Sequence, residues 1–211
     1  MYGCLATEAD HVIPAMKIYN TDILSQVRSL ESILRKNPFV KHVLDNADRL
    51  ELPQWYLGGG CVAQTVWNYL SKKELTCNIN DYDLVYFDPH DLSYESENQH
   101  AANVQRLFNS LPIKIEVKNQ ARVHLWYEDH FGYPIDAYQS IEEAIKTWPT
   151  TATCVGVKYI EGMFTVYAPY GLNDMFGMIV KPNKLQITEE TYIEKVKRWK
   201  ECWPNLEIAP W

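Results

Sequence analysis

No run of about 18 apolar residues occurs anywhere in this chain, so a membrane-spanning helix is not expected. The segment from Met1 to Ala6 lacks a charged-then-apolar signal pattern, and a cytoplasmic setting is expected. No Cys-x-x-Cys pair is present. The five cysteines, Cys4, Cys61, Cys77, Cys154 and Cys202, are scattered and odd in number. That pattern argues against a disulfide framework or a zinc knuckle and for isolated thiols in a reducing compartment. Positive charge is also short: 20 Lys and Arg against 27 Asp and Glu leave a formal charge of −7. Non-specific binding to a nucleic-acid backbone needs cations that neutralise phosphates, so DNA is not an expected partner. A local basic patch is still compatible with this balance, because net charge is a global quantity. The chain has no internal repeat, low-complexity run or linker.

What is present suits one domain over residues 1–211, with a core at about 50–120 and extensions at 20–49 and 140–211. A chain of this length buries roughly 70% of its unfolded surface and needs no staple. Seven Trp and fourteen Tyr give the core, and any stacking surface, a strongly aromatic character.

The most informative stretch runs from Gly58 to Asp83. Three glycines (Gly58, Gly59, Gly60) follow the apolar run Trp55, Tyr56, Leu57. A helix is predicted over residues 61–72, with Val62, Val66 and Leu70 on one face. Asp81, Tyr82 and Asp83 then open a strand through Phe87. Carboxylates at i and i+2 on a strand share a face. A second strand over 113–118 alternates cleanly, with Ile113, Ile115 and Val117 opposite Lys114, Glu116 and Lys118. Strand, glycines, helix, strand with two Asp, helix and strand with one Glu together describe a small α/β sheet whose three carboxylates converge at one end.

Around this core, helices are predicted at 20–36, capped by Asn20 or Thr21, and from Pro38 onward. Another is expected from a Ser93 cap to about 109, and others at 140–147 and 188–203. Residues 120–127 fit strand and helix templates, with helix preferred. Strands over 151–160 and 163–168 form a hairpin turned at Glu161 and Gly162.

Glycine lets a backbone approach a phosphate closely, and a helix N-terminus attracts anions. A carboxylate pair suits Mg²⁺ (or Mn²⁺), which takes one or two carboxylates plus substrate phosphates. Two like charges 4 Å apart cost about 4 kcal/mol at an effective dielectric of 20. Three converging carboxylates therefore call for a cation or a proton. Taken singly, Asp-x-Asp reads as a strand start, the glycines as a turn and Glu116 as a solvated face. Their combination points to a metal–nucleotide site.

Several blocks in one order resemble the bacterial nucleotidyltransferase-like family of the DNA polymerase β-type nucleotidyltransferase superfamily. These are the three glycines, then Val66, Trp67 and Asn68, then the run from Asp81 to Asp88. The likeness continues through Val117 to Trp126, Trp148 to Thr153 and Ala168 to Asp174, covering most of the chain from about Ser25 to Leu206. The resemblance implies an α/β (α+β) fold: a minimal polymerase-β-type palm, a mixed sheet flanked by helices, with an added C-terminal hairpin and helix. It implies catalytic, metal-holding carboxylates at Asp81, Asp83 and Glu116, with Gly58, Gly59 and Gly60 at the triphosphate. The implied reaction moves a nucleoside monophosphate from a nucleoside triphosphate to an acceptor and releases pyrophosphate. The acceptor, whether small molecule, protein or RNA, is undefined. Cys61 stands where many minimal members have a serine beside the glycines, so a hydroxyl contact to the triphosphate is missing.

Other residues carry two readings each. Arg122 is either a triphosphate ligand or one half of an ion pair. His124 packs rather than catalyses. Asn119 and Gln120 read a base or acceptor, or Asn119 caps a helix. Asp174 is read as a turn or cap residue and Lys181 as an exposed lysine. Lys195, Lys197, Arg198 and Lys200 form the most basic cluster, diluted by Glu194 and Glu201, and read as a solvated helix face rather than an RNA contact. Two alternatives stand beside the transferase: a catalytically inactive nucleotide-binding or interaction module on the same palm, and an enzyme adding nucleotides to RNA.

Overall fold

The computed structural model describes residues 18–211; Cys4 and the N-terminal segment read for a signal pattern lie outside them. Five strands form one mixed sheet in the order β3-β2-β1-β4-β5. These are β1 (Tyr56–Gly58), β2 (Tyr82–Tyr86), β3 (Ile115–Asn119), β4 (Gly156–Ile160) and β5 (Met163–Tyr167). Within this sheet only β2 and β3 run parallel, joined by a crossover helix (Tyr94–Leu107). β1 pairs antiparallel with both β2 and β4, and β4 with β5. A short parallel pair, β6 (Ile179–Val180) and β7 (Glu207–Ile208), sits outside that sheet.

The helices are α1 (Ile23–Leu34), α2 (Pro38–Asn46), α3 (Gly60–Leu70), α4 (Tyr94–Leu107), α5 (His124–Phe131), α6 (Ile141–Lys146), α7 (Asn173–Phe176) and α8 (Glu189–Cys202). Local signals set most of their ends. Ser93, Ser140 and Thr188 accept from the backbone N–H three residues on, as N-caps do. Asn37 caps α2 with Pro38 in its first turn. The cap of α1 is Asp22 rather than Asn20 or Thr21, its carboxylate accepting from Ser25 N–H. Residues 120–127 resolve as a 3-10 turn (Gln120–Arg122) running into α5.

The added hairpin joins the main sheet through the β1–β4 pairing. Its turn has positive φ at both Glu161 (51°) and Gly162 (78°), the combination that matches strand twist in a two-residue hairpin. The strand expected over 151–160 starts only at Gly156. Before it, Thr150 and Thr153 hydroxyls bond each other at 2.8 Å and Thr150 O accepts from Cys154 N–H, local bonds that compete with a ladder. Finally, α3 buries every residue from Cys61 to Asn68 instead of one face, because it lies between the sheet and helices α1, α7 and α8.

That burial fixes α8. Trp67 meets Trp199 and Trp203 edge-on, with ring centroids 5.3 and 5.5 Å apart. The Trp203 indole N–H donates to Asn68 Oδ1 at 2.8 Å. Each aromatic pair contributes about 0.5–1.5 kcal/mol beyond its buried area. The result is a C-terminal helix held across the chain's central helix, with its next turns over the end of β2.

Candidate active site

Strand alternation and register build the acidic end of the site. Gly58 on β1 is the register partner of Asp83 on β2, and Asp83 is the partner of Glu116 on β3. Paired residues project to the same face, so Asp83 and Glu116 stand side by side with Asp81 two residues back on the same face. The Asp83 carboxylate reaches the glycine turn: a Cβ added at Gly59 would lie 3.2 Å from Asp83 Oδ2. The Asp83 side chain thus aims at the turn at 58–60, and Asp81 lines the same hollow as Gly59 and Gly60.

Burial, then Asp81, then Glu116 push the Asp83 carboxyl up to about 7, while Lys195 and Lys114 oppose the rise. The cluster is coupled but not closed. Lys114 ion-pairs with Glu116, and among the described residues no group of three or more His, Cys, Asp or Glu side chains forms a ready metal cage. Hard oxygen donors at Asp81 and Asp83, one of them held up by its neighbours, fit a Mg²⁺ ion that takes its other ligands from phosphates and water.

Asp81 and Asp83 open onto a cavity of about 630 Å³ lined also by Gly59 and Gly60. Its floor is the sheet face bearing Asp83, Val85 and Lys118. Its walls come from α5 (Trp126, Tyr127), from Trp148 and from α8 (Lys195, Arg198). This is the ordinary size and mixed character of a small-ligand site.

The three glycines divide. Gly59 (φ +68°, ψ −133°) adopts a positive-φ conformation open almost only to glycine and N-caps α3 without any side chain, leaving the first N–H groups of the helix without an acceptor. Gly58 is buried and does not line the cavity; its missing Cβ makes room for the Val155 carbonyl and the Trp148 ring. Cys61 is buried, donates its S–H to Gly58 O at 3.2 Å, and burial holds its thiol well above the usual range. It is a packed side chain and not a reactive one.

Arg122 is placed away from the cavity. Its Nη1 donates to Glu97 Oε1 at 2.7 Å and its Nε to Leu92 O, both groups being nearly buried. Glu97 Oε2 also accepts from Asn119 N–H at 2.8 Å. Asn119 caps the 3-10 turn and bonds the backbone at Asp88, so this trio locks the end of β3 to α4. Removing one member of a buried pair leaves an unpaired charge. Arg122→Met is expected to cost about 3–5 kcal/mol in urea unfolding; a loss under 1 kcal/mol together with weaker nucleotide binding would restore Arg122 to the site.

His124 has a buried Nδ1 without a partner and lines a separate hollow beside Tyr138. Asp174 accepts from Thr151 and pairs with Lys181 at 2.7 Å, and neither residue lines the cavity. The basic cluster on α8 splits. Lys195 and Arg198 line the cavity opposite the acids, whereas Lys200 donates to Leu206 O. Sequence reasoning placed all four on a solvated face. A helical wheel does put 195 and 198 on one side, but only tertiary packing says what that side meets.

A palm-like sheet with paired carboxylates beside a glycine-capped helix is the architecture of nucleotidyl transfer. The chain belongs to the nucleotidyltransferase family, whose sequence profile matches residues 45–208. A solved structure described as "The NMR structure of the protein reveals a CCA-adding enzyme head domain" superposes with a TM-score of 0.71 and 26% identity. The match covers 92% of this chain and 100% of that one. No curated protein matches the chain. Among the described residues no helix is long and apolar enough to cross a membrane.

Proposed function

We propose that the chain moves a nucleoside monophosphate from a nucleoside triphosphate to an acceptor hydroxyl and releases pyrophosphate. The observation that carries this is the Asp83 carboxylate set against the Gly59 turn, with Asp81 and Glu116 close enough to raise its pKa. In this reading the free N–H groups at the start of α3 receive the triphosphate tail. Asp81 and Asp83 hold Mg²⁺, which supplies charge neutralisation at the phosphates when bound. Lys195 and Arg198 add positive charge from α8. The acceptor oxygen forms a bond to the α-phosphorus while the bond from that phosphorus to the bridging oxygen breaks. The hydroxyl proton passes to a carboxylate of the cluster, with Glu116 as the third member in that role.

Incubation of the protein with α-labelled triphosphates, Mg²⁺ and a cell extract is the test. Label transferred to one class of molecule, with pyrophosphate released, is the expected result. Triphosphate binding without release across a broad acceptor set favours the inactive module, for which the Lys114–Glu116 pair is the supporting feature. Absence of Mg²⁺-dependent triphosphate binding overturns the reading. The similarity to a CCA-adding head domain supports a second reading, addition of nucleotides to RNA. The charge of −7 counts against it. Replacing Lys195 and Arg198 together with Ala is expected to raise the KM for triphosphate about tenfold or more, as loss of 1.4 kcal/mol does. A flat salt dependence of RNA binding would reject the RNA reading.

A further inference from the structure

Two glutamines in the cavity have no hydrogen-bond partner for their side-chain amides among the described residues. Gln64 is 4% exposed and Gln120 6%. Both line the cavity, and neither side-chain amide hydrogen-bonds to any described residue. Neither amide is sealed in the core: the fully enclosed unpartnered atoms belong to Trp67, Tyr82, Tyr86 and His124. Both amides therefore keep their bonding capacity for the cavity, where a ligand that pairs with both can take the place of water.

Their positions differ. Gln64 lies one helical turn beyond Gly60, and a Cβ at Gly60 would sit 3.1 Å from Gln64 Nε2. Its amide therefore lies beside the first turn of α3, whose free N–H groups suit an anion. Gln120 follows the end of β3. Val85 on the neighbouring strand, also a lining residue, is two residues past Asp83 on the same face, roughly 7 Å away at about 3.3 Å per residue. Trp126 and Tyr127 wall that end. Aromatic faces stack bases without regard to sequence, while an amide offers a donor beside an acceptor and distinguishes base edges.

We infer that Gln64 and Gln120 grip opposite ends of the nucleotide, Gln64 as a neutral donor to the phosphates and Gln120 as the group that reads the base. This rests on the proposed triphosphate site. Gln64 then supplies the side-chain contact that buried Cys61 does not. Gln120 makes the site selective among the four triphosphates, and guanine presents the poorest match at its N7/O6 edge because both atoms accept.

Calorimetry on the full chain tests this with inorganic tripolyphosphate and with the non-hydrolysable analogue of each triphosphate, all with Mg²⁺. For Gln64→Leu, tripolyphosphate and all four analogues are expected to bind about tenfold more weakly, by one common factor. For Gln120→Leu, tripolyphosphate affinity stays within twofold while the ratio between the best and worst analogues shrinks at least about threefold. Thermal melts of both variants should stay close to wild type, since neither amide bonds a described residue. A Gln120→Leu ratio identical to wild type, or a Gln64→Leu loss confined to one base, overturns the assignment while leaving the nucleotide site intact. A wild-type protein that binds none of the probes overturns both.

Discussion

Asp83→Asn is expected to abolish nucleotidyl transfer and yet leave the protein at least as stable as wild type. The activity loss follows from charge. Losing a carboxylate ligand forfeits several kcal/mol of stabilisation at the reacting phosphate. At 1.36 kcal/mol per decade that is about a thousandfold or more in kcat/KM.

The stability half follows from the same cluster. The Asp83 carboxyl is raised from 3.8 to about 7 in the folded chain, by burial first and by Asp81 and Glu116 after it. A group whose folded pKa lies above its unfolded value binds protons more tightly when folded. Its favourable contribution is present at low pH and is lost as pH rises through about 7. At pH 8 the ionised Asp83 therefore costs the metal-free fold on the order of a few kcal/mol. Asn carries no such charge. Thermal melts without metal should show Asp83→Asn clearly above wild type at pH 8, with the gap narrower at pH 5 and closed only below about pH 3.8. Mg²⁺ should raise the wild-type midpoint and leave the variant unmoved. A variant that melts lower at both pH values, or that still transfers label, would show that Asp83 holds the fold and not the ion.

Much of this site could be read from the sequence because its signals are local. Asp81 and Asp83 share a face through strand alternation, Glu116 shows its face through the clean pattern around it, and Ser93, Ser140 and Thr188 announce their helices. What makes the three acids neighbours is the parallel register of β2 with β3, which no local signal sets. Arg122 was ambiguous because its partner, Glu97, lies in a different helix, and a bidentate cation reads alike beside a phosphate or a buried carboxylate. Lys195 and Arg198 were assigned to solvent because the helix carrying them is docked by the Trp67, Trp199 and Trp203 contact, a long-range packing event. Gln64 carries no sequence signal, because a one-faced pattern leaves it on the polar side of a helix that packing buries all round.

The same distinction between packing and chemistry separates the glycines, and substituting them one at a time should expose it. Gly58→Ala places a methyl onto the Val155 carbonyl and within 2.9 Å of the Trp148 ring. The carbonyl belongs to backbone that already bonds Gly59 N–H at 2.9 Å, next to the β1–β4 pairing, so it has no room to yield. Overpacking of this kind costs about 1–3 kcal/mol and rises further when backbone must move. Loss of about 3 kcal/mol or more in urea unfolding is expected, with mostly insoluble expression. Gly59→Ala meets a different obstacle. Its φ of +68° is one that L residues rarely adopt, and its methyl would press on Asp83 Oδ2 at 3.2 Å. Backbone strain of about 1–3 kcal/mol is expected, with a disproportionate fall in nucleotide affinity, because the displaced atom is the carboxylate oxygen itself. Equal stability losses in the two variants with unchanged affinity in Gly59→Ala would mean that the turn only holds the sheet. A well-folded Gly58→Ala with weakened binding would mean that Gly58, not Gly59, meets the phosphates.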